Sequence, residues 1–460
     1  MQLCHSINTN SSPEVDRLET LIENLKCVRL EARKGADFNQ LEAEVDRLFN
    51  QAQRDILTSI LAEYDINIPC FEHQGNTYRQ ANRSPKRYMT AAGEVFVERS
   101  LYRSRRNGET FCPLELNSGI VEGFWTSQAA KQAMHMVALI TPVEAQRLFE
   151  ELGGMSPSSS SLTRLPAKLN AIIEAEPQGL QEKLQAQFVV PKNAATVSVS
   201  LDGVMVFTRD PVVLPGDSRW GEASCGTISF MDKQGELICT QYNARMPEPK
   251  KRSLKTHLAQ TLELIMQKRP DLSIVKVADG ARDNWTFLEG EISAGESILD
   301  YYHASEHLFE AMEFIYGASS AKALEQHKKY KRILRDDAKG ITKIINHLKY
   351  KAKGKVKKAK ELTREINYFK NNKHRCHYAK LKAENKPIGS GIVESACKTV
   401  VQLRCKRAGQ SWEQAGGQAI LRFRSLLLSN QFDTAWDFIA SHYRNTNIKL
   451  PDNVVPFRPI

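Results

Sequence analysis

The chain has 460 residues, which at roughly 150 residues per domain means about three folded units and excludes a single small module. Charged residues make up 25% and the AVILMFWYC set 41%, a balance that excludes intrinsic disorder. The net charge of +11 is concentrated: Lys322 to Lys386 holds 22 Lys/Arg against 6 Asp/Glu, a net of +16, leaving −5 for the rest. Such a segment suits a phosphate-rich partner, with a solvated basic helix surface as the alternative. No apolar run approaches the roughly 18 residues that span a bilayer, so no membrane partner is expected. The start, Met1-Gln2-Leu3-Cys4-His5-Ser6, lacks a basic region followed by an apolar one, and the expected location is cytoplasmic. Nine cysteines without any Cys-x-x-Cys imply no disulfide framework. Cys70-x-x-His73 with Cys112 resembles part of a zinc ribbon but lacks the second close pair of ligands.

In chain order, residues 1–68 read as a helical region, with stripes at Leu18, Leu21, Ile22, Leu25 and at Leu41, Val45, Leu48, Ala52, broken by Gly35. Residues 69–120 form a small basic β-unit, two strands turning at Ala92-Gly93 and carrying Arg83, Lys86, Arg87, Arg99, Arg103, Arg105 and Arg106. Residues 121–188 are helical: Thr141-Pro142 opens one helix, Gly153-Gly154 closes it, and Ser156-Pro157-Ser158 caps the next. That layout fits a helix-turn-helix, which sets Arg164 near the start of a recognition helix; an ordinary helical hairpin gives much the same pattern.

Residues 189–316 are α/β. A strand over Thr196–Phe207 alternates Val197, Val199 and Leu201 with Ser198, Ser200 and Asp202, and two neighbours join at Asp232–Gly235. A helix covers Leu254–Lys268; short strands end at Asp279 and at Tyr302, the second feeding a helix from Ala304. The fold class is therefore α/β, a mixed sheet flanked by helices. The basic segment, 317–386, interrupts it as a helical insertion expected to face solvent or dock on phosphate, and 387–445 completes it with a helix from Ile392 to about Lys406 and another from Glu413 to Ser429. Residues 446–460 are a tail.

Three acids stand where neutral residues are expected: Asp202 before Gly203, Asp279 before Gly280, and Glu394 beside Ile392 and Val393. Each Asp-Gly pair alone fits a strand-terminating turn. Together, if their strands are neighbours, the three carboxylates converge and repel unless a divalent cation lies between them. Oxygen-only ligands select Mg²⁺ or Mn²⁺ over zinc, and two such ions suit phosphodiester chemistry.

Ser200-Leu-Asp202-Gly-Val-Met-Val, Val277-Ala-Asp279-Gly-Ala, Ile388-Gly-Ser-Gly-Ile-Val-Glu394-Ser-Ala-Cys-Lys and Arg404-Cys-Lys-Arg-Ala-Gly-Gln-Ser-Trp412 resemble the DDE blocks of bacterial insertion-sequence transposases with an RNase H-like core, in the branch related to Mutator-like elements. The resemblance covers about residues 69–436. It implies Asp202 on the first core strand, Asp279 after the fourth and Glu394 on the closing helix, as catalytic and Mg²⁺ (or Mn²⁺) ligands. Asp300-Tyr-Tyr-His303 resembles that branch's Asp-x-x-His signature, near the scissile DNA. The 115 residues between Asp279 and Glu394, against 77 between Asp202 and Asp279, fit an insertion before the last acid.

Lys398, one turn after Glu394, is a candidate for the cleaved phosphate, with an intrahelical Glu394–Lys398 pair worth about 0.3–0.5 kcal/mol as the alternative. Arg404, Lys406 and Arg407 extend a cationic, DNA-binding surface. His303 and His307 share a helix side without a carboxylate-rich motif, and Trp285, Trp412 and Trp436 fill core, Trp412 having base stacking as its alternative. The function implied is a nucleoid-associated transposase, binding double-stranded terminal repeats and target DNA as a homodimer or higher oligomer. The rivals are an RNase H-like nuclease that only cuts and a non-catalytic domesticated DNA-binding protein.

Overall fold

The computed structural model describes residues 13–73, 75–209, 219–292, 294–354 and 358–444; the segment Met1–Ser6 and the tail at 446–460 lie outside the described residues. The chain divides into two compact units: the described residues up to Leu180 with those from Ala435 on, and Gln181–Thr434.

In the first unit, α1 (Pro13–Arg33) and α2 (Phe38–Ala62) are separated at Gly35, whose φ of +83° favours glycine. Asp37 caps α2 by accepting the Asn39 N–H. Strands β1 (Cys70–His73), β2 (Asn76–Thr90), β3 (Gly93–Ser104) and β4 (Thr110–Phe111) form an antiparallel sheet in that order. Four of its seven named cations are paired: Lys86 and Arg99 face Glu115, Arg87 faces Glu94 and Arg83 faces Asp65. Cys70 is exposed whereas Cys112 packs with Tyr88, Val95 and Val97.

Helices α3 (Pro113–Ser118), α4 (Ser127–Leu139), α5 (Pro142–Leu152) and α6 (Ser159–Ala175) come next. Thr141 and Glu144 form a reciprocal capping box at the start of α5. Ser158 caps α6, whose Ser159 N–H donates to Gln146 of α5 at 2.8 Å. Arg164 is exposed on α6 while Leu162, Leu165 and Leu169 are buried. Helix α7 (Pro177–Gln187) leads the chain into the second unit.

There, β5 (Thr196–Phe207), β6 (Trp220–Met231), β7 (Leu237–Arg245), β8 (Ser273–Ala278) and β9 (Glu296–Leu299) form a mixed sheet in the order β7-β6-β5-β8-β9. β5, β8 and β9 run parallel; β6 is antiparallel to β5 and to β7. The α/β class read from the sequence, a mixed sheet with helices, is what the chain forms. The helices are α8 (Arg252–Lys268), α9 (Arg282–Gly290), α10 (Tyr301–Tyr316), α11 (Ala321–Asp336), α12 (Gly340–Ala352), α13 (Ala359–Asn371), α14 (Tyr378–Ala383), α15 (Gly391–Ala396), α16 (Leu403–Cys405) and α17 (Gln414–Leu428); α18 (Phe432–Tyr443) then crosses back to the first unit.

Three expectations need correction. The strand expected to end at Tyr302 stops at Leu299, because Asp300 accepts the Tyr302 N–H at 2.7 Å and starts α10 there. The helix expected from Ile392 to Lys406 is not uniform: Cys397–Gln402 forms π turns between α15 and α16. Arg424, 4% exposed, donates to the carbonyls of Thr399 and Val400 that this winding turns outward. Finally, the basic insertion is not a solvent-facing arm. Leu334, Ile341, Ile344, Leu348, Leu362, Ile366 and Phe369 join the same apolar cluster as Val197 and Val199 of β5 and Leu308 of α10.

Candidate active site

Parallel pairing sets the site. Ser200 lies opposite Val277, so Asp202, inside β5, and Asp279, just past the end of β8, stand two residues further on at the same level. Adjacent strands lie about 4.8 Å apart. Ala278 pairs with Leu299, and the Asp300 N–H donates to the Ala278 carbonyl at 2.8 Å, which adds a third acid to the same edge. Three carboxylates therefore stand at one level across three adjacent parallel strands: Asp279 and Asp300 just past the ends of β8 and β9, where open α/β sheets bind their ligands, and Asp202 within β5, which continues to Phe207 beside β6.

Each is held by a local bond. Asp202 Oδ1 accepts the Gly203 N–H at 2.7 Å, and the Cys397 thiol approaches Oδ2 at 3.7 Å. Asp279 Oδ1 accepts both the Ala281 N–H and the Asn284 amide at 3.1 Å, while the Trp285 indole donates to its carbonyl. Asp300 is fully buried.

Glu394 reaches this edge through Ser390, whose hydroxyl contacts Asp300 Oδ2 and lies 2.9 Å from Glu394 Oε1. Burial pushes the Asp300 carboxyl above the usual range against the Ser390 hydroxyl, which favours its charge, and the Glu394 charge adds to the rise. Asp202 is raised too, by burial first and then by Asp279.

His303, one turn after Asp300, faces the same acids. Burial works to lower its imidazole, but Asp300, Glu306, Asp279 and Glu394 together outweigh burial and hold it above the ordinary value. Asp300, His303 and Glu394 each offer a ligand atom within 4.8 Å of the others. Asp202, Asp279 and Glu394 do not close to that separation among the described residues.

The raised carboxyls give a pH dependence. Asp202 and Asp300 bind protons more tightly folded than unfolded, so unfolding free energy falls as pH rises from the ordinary carboxylate range through their raised values. In chelator, the melting temperature should decline over that window, and Asp300→Asn, which keeps the cap of α10, should flatten the decline. An unchanged profile would mean that Asp300 is already ionised.

The insertion supports the edge from behind. A β-carbon at Gly280 would collide with the Tyr368 ring, so glycine after Asp279 lets α13 close over that turn. The Tyr368 ring stacks on His307 at 3.7 Å between centroids, and His307 Nδ1 bonds to the fully buried Glu365 at 2.6 Å. Burial opposes the Glu365 charge, but His307 and Arg364 outweigh it and hold the carboxyl below its usual value. Its stabilisation is thus complete above the ordinary carboxylate range and lost as pH falls through the depressed value. His307→Ala should cost about 3 kcal/mol in denaturant unfolding at neutral pH, with a smaller cost in acid; equal costs at both pH values would assign it to packing alone. The two histidines that share a helix side thus serve different acids: His303 the sheet edge, His307 the insertion.

The other sequence candidates separate. Lys398, Lys406 and Arg407 are exposed, and the Glu394 carboxylate is bonded to Ser390 instead of Lys398. Arg404 does not extend the cationic surface: it is 3% exposed, with its guanidinium 4.9 Å from the Trp412 ring centroid. The intervening π turns add a residue to the winding and rotate the next turn of helix by about 100°. With Arg404 over it, Trp412 has one ring face covered, which argues against base stacking, while Trp285 and Trp436 are buried. Sequence reasoning missed Tyr368 and Glu365, whose shared partner His307 lies 61 and 58 residues away, and the role of Ser390, which lies in the same quoted block as Glu394 but whose other partner, Asp300, lies 90 residues away.

Compared with known proteins, the chain matches no protein-family model and no curated protein. No helix among the described residues is long and apolar enough to cross a membrane.

Proposed function

We propose that this chain is a DDE transposase with an RNase H-like core, which binds the double-stranded terminal repeats of its own element, cuts phosphodiester bonds and joins the freed 3′ ends to target DNA. The observation that carries the reading is the common level of Asp202, on β5, and Asp279, just past the parallel neighbour β8, with Glu394 drawn to them through Ser390. The resemblance requires the first acid on the first strand and the second after the fourth, which is how β5 and β8 carry them.

The donor set fits a hard divalent cation: carboxylate oxygens, of which Asp202 is raised by burial and by Asp279. Asp202, Asp279 and Glu394 would hold Mg²⁺ or Mn²⁺, which supplies Lewis acidity for the attacking and leaving oxygens of an in-line displacement. Gly203, Ala281 and Asn284 orient the two aspartates by bonding one oxygen of each, and in Asp279 the second oxygen has no hydrogen-bond partner among the described residues. Asp300 and Ser390 aim Glu394. His303, whose imidazole the acids around it hold above its ordinary value, lies where a scissile phosphate would meet them. Hydrolysis and strand transfer differ only in the attacking hydroxyl, so one site serves both.

Arg164 on α6 is the candidate reader of the repeats, and synapsis of two ends calls for a homodimer or higher oligomer. The test is a strand-transfer assay with paired repeat ends and Mg²⁺ or Mn²⁺. Nicked and joined products support a transposase; nicking without joining supports a nuclease that only cuts, and binding without either a non-catalytic protein.

A further inference from the structure

A second cation lies at the Asp202 side of the sheet edge. Lys250 and Lys251 come after Pro249 with φ of +55° and +53°, two consecutive left-handed residues where glycine would be relaxed. The loop is held there because Glu248 accepts the Leu254 N–H at 3.0 Å and so caps α8 from four residues before its first residue. Backbone strain kept beside an acid cluster points to a demand on the side chains it presents.

The two lysines differ. Lys250 is exposed, whereas the Lys251 side chain is 12% exposed and its Nζ lies 3.0 Å from Glu222 Oε1. Glu222, on β6, is 48% exposed and lies over Gly203: a β-carbon there would collide with its carboxylate. Gly203 is the residue whose N–H holds Asp202, so the pair sits directly beside the first catalytic acid. The Lys251 charge also pulls against the rise of the Asp202 carboxyl. The cation is thus fixed and enclosed, and its anionic partner is open to solvent and able to swing away.

We propose that Lys251 is the binding site for a DNA phosphate flanking the scissile bond on the Asp202 side, and that Glu222 occupies the phosphate's place until DNA arrives. The inference rests on the DNA-cleaving reading. A carboxylate and a phosphate oxygen present the same chemistry to an ammonium group, and the exchange leaves Lys251 paired in both states. Glu222, once displaced, carries its charge into water. The two residues therefore act on DNA with opposite signs, which a structural ion pair does not do.

The test measures equilibrium binding of a duplex repeat end to the full chain across a series of KCl concentrations, without divalent cation so that nothing is cut. Lys251→Met should weaken binding about ten-fold near 0.1 M salt and reduce the magnitude of the log–log slope by about 0.9, one phosphate contact. Glu222→Gln should tighten binding and leave the slope unchanged. Melting temperatures of both variants show whether either fails to fold. If both variants weaken binding in step with lost melting temperature, or if the Lys251→Met slope equals that of the parent, the pair is structural and the inference is overturned. In that case cleavage by the parent, and its loss in Asp202→Asn, would leave the DNA-cleaving reading standing. A parent that binds no duplex at any salt would overturn both.

Discussion

Asp202→Asn should lower cleavage by more than about 100-fold, the upper end of what losing an outer-shell partner of a metal site costs, while duplex binding stays almost unchanged. The substitution isolates charge from shape: Asn keeps an oxygen for the Gly203 N–H, so the backbone of β5 at this point has no reason to move. What it removes is a carboxylate that burial and Asp279 already make reluctant to ionise. Stability should therefore respond in two opposite ways. Without divalent cation, the raised value means that ionised Asp202 opposes folding at neutral pH, and the variant should melt above the parent. With Mg²⁺ at about a hundred times its dissociation constant, the parent should gain about 2.7 kcal/mol and the variant much less, so the order reverses. Calorimetry with and without the ion reads both arms. A variant that melts lower in chelator, or a parent indifferent to Mg²⁺, would remove Asp202 from the metal site.

The second large effect concerns the basic segment, because its cations are not equivalent. Lys322, Arg335, Lys343, Arg364, Arg375, Lys380, Lys382 and Lys386 are each engaged by a carboxylate of this chain. Lys349, Lys351, Lys353, Lys358 and Lys360 are in no ion pair among the described residues, and they cluster where α12 ends and α13 begins, around Tyr350, which is 72% exposed. Only cations that release counterions from DNA contribute to salt dependence. If about eight side chains of the segment meet phosphates, the slope of log K against log salt should be near −7, and replacing these five lysines by Gln should reduce its magnitude by about 4. Replacing five of the paired cations instead should disturb folding more than the slope. A parent slope near zero would leave the segment as a solvated surface, and equal slopes in parent and variant would move the phosphate contacts elsewhere.

Period and placement explain which features are legible in the sequence. The alternation of Val197, Val199 and Leu201 identifies β5, and an acid at the end of that pattern is conspicuous, so Asp202 and, by the same signal, Asp279 stand out. The sequence places Asp300 within a strand because Ile298, Leu299, Tyr301 and Tyr302 all favour extended backbone; the capping bond to the Tyr302 N–H decides otherwise, and it depends on where the loop at Ile388 holds the Tyr301 N–H. Arg404 is misplaced by carrying one helical period through Lys398 to Lys406, whereas π winding breaks it. Lys251 gives no sequence signal, since nothing in Pro249-Lys-Lys announces left-handed backbone.

The burial of Leu362, Ile366 and Phe369 with β5 has a consequence for engineering. A surface insertion of about seventy residues would ordinarily be the first part to excise in search of a minimal enzyme. Here excision would strip the greasy underside from α10 and unroof the turn that carries Asp279, so the shortened chain would aggregate before its chemistry could be examined.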